Sequence, residues 1–218
     1  MKSFDPLDLH HDQPVLFTGA APEDASAAII MVHGRGATAD SILQLADELP
    51  HNGKFALAGP QAAGNTWYPN SFISPRESNE PNLTSALKFI GDVEGMLFLK
   101  GIPHEKIILL GFSQGACLVM EYAARNVKRY GGIISLSGGL IGESLDTESY
   151  KGDFAGTPVF IGCSDIDPHI PLKRVNESEE IYESLGAKVT KKIYPNMGHT
   201  INRDELKYIS MIMQRALI

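Results

Sequence analysis

Apolar residues along this chain follow two alternating patterns, short continuous runs and longer amphipathic stretches. Residues 28–32, 55–58, 107–110, 133–136 and 159–161 are nearly all apolar over lengths that suit strands, and they predict strands buried on both faces. Residues 189–194 mix Lys and Thr with Val, Ile and Tyr, as expected of a strand nearer an edge. Residues 15–18 are a weaker early candidate. Between these runs the period changes. Leu83, Leu87, Ile90, Val93 and Leu97 recur at helical spacing after Pro81 and stop at Gly101. Ile42, Leu45, Ala46 and Leu49 do the same before Pro50. A further helix is expected after Pro171, ending near Gly186. The last helix opens at Asn202, with Glu205 three positions on as in a capping box, and buries Leu206, Ile209 and Met213.

Strand–helix alternation of this kind predicts an α/β fold, a mostly parallel sheet with helices on both faces. In such sheets the ligand site lies at the carboxyl ends of the strands. Two irregular stretches, 59–82 and 138–157, are long enough to suggest binding surfaces. With no internal repeat and no linker, the 218 residues are expected to form one domain, 1–218.

Composition narrows the function. The 43% hydrophobic content rules against disorder, and a formal charge of −7 without a basic cluster argues against nucleic acid. Cys117 and Cys163 are too few for a disulfide framework and read as free thiols of a reducing compartment. Residues 1–16 carry acids, histidines and prolines where a signal peptide needs an apolar stretch, and no window approaches a membrane span. The expectation is a cytoplasmic protein with no integral membrane association.

The chemistry begins at the fourth strand. Ile107-Ile108-Leu109-Leu110 runs into Gly111-Phe112-Ser113-Gln114-Gly115-Ala116 and then a helix. Gly-x-Ser-x-Gly alone carries little weight, since chance supplies on the order of 0.15 matches in a chain of this composition. Its position decides the matter. A serine on a sharp strand-to-helix turn exposes its hydroxyl above the sheet, and glycines two residues to either side let strand and helix approach. Ser113 is therefore the expected nucleophile, not merely a turn residue between packing glycines.

A serine needs a base, and the base needs a carboxylate behind it. The chain order in the α/β-hydrolase arrangement is Ser, acid, His. Of seven histidines, His10, His11, His33, His51 and His104 precede Ser113, and His169 shares a loop with the candidate acids. His199 follows the 189–194 strand and is the expected base. The acid is Asp165 or Asp167, in the loop after residues 157–163, and spacing does not separate them. The other is expected to bond backbone amides in its own turn. Oxyanion donors should be the backbone N–H of Gln114 and an N–H from the His33-Gly34-Arg35-Gly36 loop, with Arg35 best placed. Neither Gly-x-Gly-x-x-Gly nor a Walker pattern is present, which argues against a phosphate cradle. Trp67, Tyr68, Phe72 and Ile73 are expected to line the acyl pocket, and Cys117, one turn into the helix, to face the core. No metal or other cofactor is expected, because His169 beside Asp167 is too sparse for a ligand set.

Assembled in this way, His33-Gly34-Arg35-Gly36, Gly111-Phe112-Ser113-Gln114-Gly115, Asp167-Pro168-His169-Ile170-Pro171 and Gly198-His199 resemble the carboxylesterase/phospholipase family that includes the acyl-protein thioesterases. The resemblance implies the α/β-hydrolase fold without a large lid domain. It also implies Asp167, directly before the proline, as the triad acid, and Arg35 and Gln114 as oxyanion donors. The family often has an apolar residue where this chain has Arg35, an acid where it has Ala37, and an Asp where it has Pro69. These departures at the pocket mouth point to small or medium acyl groups.

The expected function is a serine esterase acting on small-molecule carboxylic or thio esters, with a homodimer left open. Alternatives are a lysophospholipase or acyl-protein thioesterase, a dienelactone-hydrolase-like lactonase and a non-catalytic ligand receptor. The lactonase would have Cys at position 113, and the receptor would have lost a triad member.

Overall fold

The computed structural model describes residues 7–50 and 53–218. Among these residues seven strands form one sheet in the spatial order β1-β3-β2-β4-β5-β6-β7. They are β1 (Val15–Gly19), β2 (Ala27–Val32), β3 (Phe55–Pro60), β4 (Ile107–Phe112), β5 (Gly132–Leu136), β6 (Pro158–Ser164) and β7 (Lys188–Tyr194). β1 pairs antiparallel with β3, and every other pair is parallel. The helices are α1 (Ala39–Leu43), α2 (Asn82–Leu99), α3 (Gln114–Arg125), α4 (Leu172–Ser184) and α5 (Arg203–Ala216).

The apolar runs become strands because each can bury both faces at once. Ile30, Leu109, Ile133 and Ile161 join one core layer with α2, α3 and α4. Their neighbours one position along, Ile29, Ile108, Ile134 and Phe160, join a second layer with α1 and α5. Side chains alternate faces with a period of two, so a strand covered on both sides has no place for a polar face. At about 1.5–3 kcal/mol for each large aliphatic side chain removed from water, this two-sided burial dominates the fold's stabilisation. β7 ends the sheet and keeps its alternating exposure; there the Lys191 ammonium reaches Asn176 at 2.8 Å and Glu179.

The helix expected across residues 42–49 is shorter than its apolar spacing suggests. α1 ends at Leu43, and residues 44–48 wind into a tighter 3-10 turn. Leu49, directly before Pro50, is extended at φ −115° and ψ 141°, as the proline ring requires of the residue before it. The opening of α5 follows the expected pattern. The Asn202 side chain accepts from the N–H groups of Asp204 and Glu205 at 2.7 and 3.0 Å, and the Glu205 carboxyl accepts the Asn202 N–H at 2.8 Å. Such a cap is worth about 1 kcal/mol.

Topology then selects the place for chemistry. From β2 the chain moves outward to β3, then returns to the other side of β2 as β4. The loops leaving β2 and β4 therefore diverge at their carboxyl ends and open a crevice between them. Val32 lies level with Gly111, so the loop after β2 and the turn after β4 face one another across that crevice.

Candidate active site

Ser113 occupies the turn between β4 and α3 at φ 55° and ψ −118°, a conformation that costs a non-glycine residue on the order of 1–3 kcal/mol. Two contacts explain the glycines around it. A Cβ on Gly111 would stand 2.3 Å from the Gly115 carbonyl oxygen, and a Cβ on Gly115 would stand 2.1 Å from the Val32 carbonyl oxygen. The start of α3 is thus pressed against both its own strand and the end of β2. The Ser113 N–H donates to Leu136 on β5 at 2.9 Å, which holds the turn from the opposite side.

His199 comes to Ser113 from the loop after β7. The Ser113 hydroxyl donates to His199 Nε2 at 2.8 Å, and His199 Nδ1–H donates to Asp167 Oδ2 at 2.7 Å. An ionised carboxylate only accepts, so the imidazole proton belongs on Nδ1 and leaves Nε2 free to receive the serine proton. Asp167 has its second oxygen filled by the N–H groups of His169 and Ile170, at 2.8 and 3.1 Å. Burial pushes this carboxyl upward, but the His199 bond and the two amides outweigh it and hold Asp167 below the usual carboxylate range.

Asp165 is not part of this chain of bonds. It was expected to bond amides in its own turn, and instead its Oδ1 accepts the N–H of Asn196 at 2.8 Å, in the loop that carries His199. The Ser164 hydroxyl donates to the Met197 carbonyl in the same loop. The register of β6 and β7, Ser164 level with Tyr194, brings the two loops side by side. A local turn could satisfy Asp165, but the adjacent strand end offers it a partner that also fixes the His199 loop.

Among the described residues the backbone N–H groups of Arg35 and Gln114 find no acceptor, which leaves both available to a ligand at Ser113. The loop that presents Arg35 is built on buried histidines. His33 Nδ1–H donates to the Gly34 carbonyl at 2.8 Å, and its Nε2 accepts the Ala62 N–H at 3.1 Å. His10 Nε2–H donates to the Trp67 carbonyl at 3.0 Å and Nδ1 accepts the Ala63 N–H at 3.1 Å. Burial holds both histidines below their ordinary pKa, in keeping with rings that must each accept a proton at one nitrogen. Both ring nitrogens of His33 are thus occupied by backbone groups, which makes it a structural support of this loop. His10 had no role in the sequence pattern, because its partners lie more than fifty residues away. His51 lies outside the described residues.

A cavity of about 480 Å³ opens beside Ser113 and His199. Of the four residues expected at the acyl pocket, Tyr68 and Phe72 line this cavity, whereas Trp67 and Ile73 do not. Trp67 is fully buried beneath the loop, its ring against those of His10 and His33, and its indole N–H donates to the His33 carbonyl at 2.9 Å. Burial of its one side-chain polar atom against the end of β2 makes it a support of the loop after that strand. Ile73 turns outward and is 38% exposed. The Gln114 side chain, which no local pattern in the sequence singles out, accepts the Trp67 N–H at 3.0 Å and donates to the Tyr68 carbonyl at 2.8 Å, clamping the cavity wall to α3. Cys117 joins the core and also lines the cavity, and burial pushes its thiol up to about 12, so it stays protonated. Among the described residues no group of His, Cys, Asp and Glu is arranged to hold a metal ion. No helix there is long and apolar enough to cross a membrane.

Comparisons with known proteins give the family of the chain. Residues 15–216 match the family described as Phospholipase/Carboxylesterase. The chain is 26% identical to an acyl-protein thioesterase 1 of Gibberella zeae, over 94% of this chain and 95% of that protein. It is 28% identical to an acyl-protein thioesterase 1 of Debaryomyces hansenii, over 88% and 92% of the two chains. Its fold superposes with a TM-score of 0.91 on a phospholipase/carboxylesterase crystal structure from Dyadobacter fermentans, at 44% identity over 94% of this chain and 97% of that one.

Proposed function

Because the chain belongs to the phospholipase/carboxylesterase family, we propose that this hydrolase cleaves small to medium carboxylic or thio esters with Ser113 as nucleophile, His199 as general base and Asp167 as its orienting acid. The observation that carries the assignment is the unbroken run of hydrogen bonds from the Ser113 hydroxyl through His199 to Asp167, beside a cavity of about 480 Å³. That volume falls within the usual range for small-molecule sites.

As Ser113 Oγ attacks the ester carbonyl carbon, its proton passes to His199 Nε2, and Asp167 stabilises the imidazolium through Nδ1–H. The carbonyl oxygen becomes an oxyanion and accepts from the Arg35 and Gln114 N–H groups; one such donor is worth roughly 10²–10³-fold in rate. When the tetrahedral intermediate collapses, the bond to the alcohol or thiol breaks and His199 Nε2–H protonates the departing group. A water molecule, deprotonated by His199, then attacks the acyl-serine and releases the acid and Ser113. No cofactor enters any step.

Within this reading, a thioester substrate is favoured by relatives named acyl-protein thioesterases. The machinery is the same and only the leaving group differs. We assign the enzyme to the cytoplasm because its two cysteines are buried free thiols.

The test is turnover of a graded series of activated acyl esters by the wild type and by Ser113→Ala. Wild type should show a maximum at short or medium chains. Ser113→Ala should fold normally and lose on the order of 10⁴-fold or more. Retained turnover in the purified variant would overturn the assignment of Ser113.

A further inference from the structure

The cavity has a charge of its own. Arg35 lines it together with Tyr68, Pro69 and Asn70, and no Asp or Glu is among the lining residues. This occurs in a chain whose 26 acidic residues outnumber its 19 Lys and Arg. The guanidinium donates from Nη1 to the Pro69 carbonyl at 2.8 Å and from Nη2 to the Asn70 carbonyl at 2.6 Å, and lies 5.9 Å from the Tyr68 ring centroid. Those two bonds use two of its five N–H donors. Among the described residues no carboxylate pairs with it, so its charge, on an exposed side chain, is held at the cavity wall by neutral carbonyls alone.

Position gives that charge a consequence. The backbone N–H of Arg35 is one of the two donors assigned to the oxyanion, so the guanidinium is tethered within one side chain's length of the carbonyl under attack. His199 must protonate the departing group, which directs the alcohol or thiol toward the imidazole and leaves the acyl portion to the rest of the cavity. A carboxylate a few carbons along the acyl chain would meet the open N–H edge of Arg35. A guanidinium with its plane already fixed loses little freedom when it binds such a group.

Resting on the esterase reading, we propose that the Arg35 side chain is a specificity-determining group that selects acyl groups ending in a carboxylate, the half-esters or half-thioesters of short dicarboxylic acids. Its backbone serves the chemistry common to all substrates, and its side chain discriminates among them.

A matched pair of esters tests this: the mono-4-nitrophenyl ester of glutaric acid and 4-nitrophenyl valerate, equal in chain length and leaving group. The readout is the ratio of their kcat/KM values after the spontaneous rates are subtracted, for wild type, Arg35→Met and Arg35→Lys. Wild type should favour the glutarate ester, the ratio should fall about tenfold in Arg35→Met, and Arg35→Lys should lie between. Added salt should lower the wild-type ratio and leave that of Arg35→Met unchanged. The salt dependence needs no variant, so it decides the matter even if Arg35→Met folds poorly. A purely structural Arg35, fastening the Pro69–Asn70 wall, would lower both rates together and leave the ratio constant, and that result would overturn the proposal. So would a wild type that prefers valerate. In either case hydrolysis of valerate by the wild type keeps the esterase reading intact, whereas a wild type inactive on both esters overturns both.

Discussion

Asp165 Oδ1 accepts the backbone N–H of Asn196 at 2.8 Å, and this bond helps to tie the loop after β6 to the loop that carries His199. Asp167, two residues on, bonds His199 directly. The two carboxylates thus hold one loop by its backbone and by its imidazole.

Their roles separate on substitution. Asp167→Asn presents an amide to His199 that favours the wrong imidazole tautomer, and turnover should fall by as much as ~10⁴-fold without loss of fold. Asp165→Asn retains an oxygen that can accept the Asn196 N–H and should cost less than about tenfold. Turnover of both variants on one activated ester, with circular dichroism as the control for folding, checks the pair. A crippled Asp165→Asn beside a near-normal Asp167→Asn would reverse the assignment.

Gly115→Ala should be far more damaging than a methyl group suggests. Its Cβ would stand 2.1 Å from the Val32 carbonyl and 2.6 Å from the His33 carbonyl, and backbone atoms cannot swing aside as side chains do. Forcing α3 away from β2 should cost about 3 kcal/mol or more and spoil the spacing between Ser113 and the oxyanion loop. Gly198→Ala is the control, because nothing lies within 4 Å of the added carbon. Chemical denaturation of the two variants should show the first much less stable and the second close to wild type.

Glu205 makes stability depend on pH in a known direction. Its side chain is buried beneath the start of α5, and burial raises its carboxyl to about 7, well above the ordinary glutamate value near 4.5. Below about 4.5 the carboxyl is protonated in both states and its contribution is fully present. As pH rises toward 7 the unfolded chain releases the proton first, so this contribution is lost, by roughly 3 kcal/mol once pH has passed 7. Glu205→Gln keeps an oxygen for the Asn202 N–H and cannot ionise. Urea midpoints should show the variant more stable than wild type at pH 8, with the gap closing near pH 4.5; a pH-independent gap would contradict a raised carboxyl.

Within the long loop, Phe72, Ile73 and Trp67 should behave differently. Phe72→Ala enlarges the cavity and should shift chain-length preference. Ile73→Ala, on an exposed side chain, should change neither preference nor stability by much. Trp67→Phe removes the indole N–H from the His33 carbonyl and should lower melting temperature and turnover together. A panel of esters combined with thermal melts separates the three, and a shift of preference in Ile73→Ala alone would relocate the acyl pocket.

The strands and most helices were legible in the sequence because two-sided burial and helical spacing are local patterns that neighbours along the chain express by themselves. The turn at Ser113 was legible for the same reason: strand, glycines and helix follow one another within a dozen residues. The hydrogen-bonded set of Ser113, Asp167 and His199 was also readable from chain order, although the expectation of Asp167 over Asp165 needed the resemblance of Asp167-Pro168 to a known motif. Tertiary structure alone decided what depends on chain segments meeting from afar. It sent Asp165 to Asn196, placed Trp67 under His33 instead of in the cavity, recruited His10 as a buried support and turned Ile73 outward. A large apolar side chain in an irregular loop has no period to announce its neighbours. A buried polar atom goes wherever the fold brings a partner within about 3 Å, since leaving it unpaired costs more than the bond is worth.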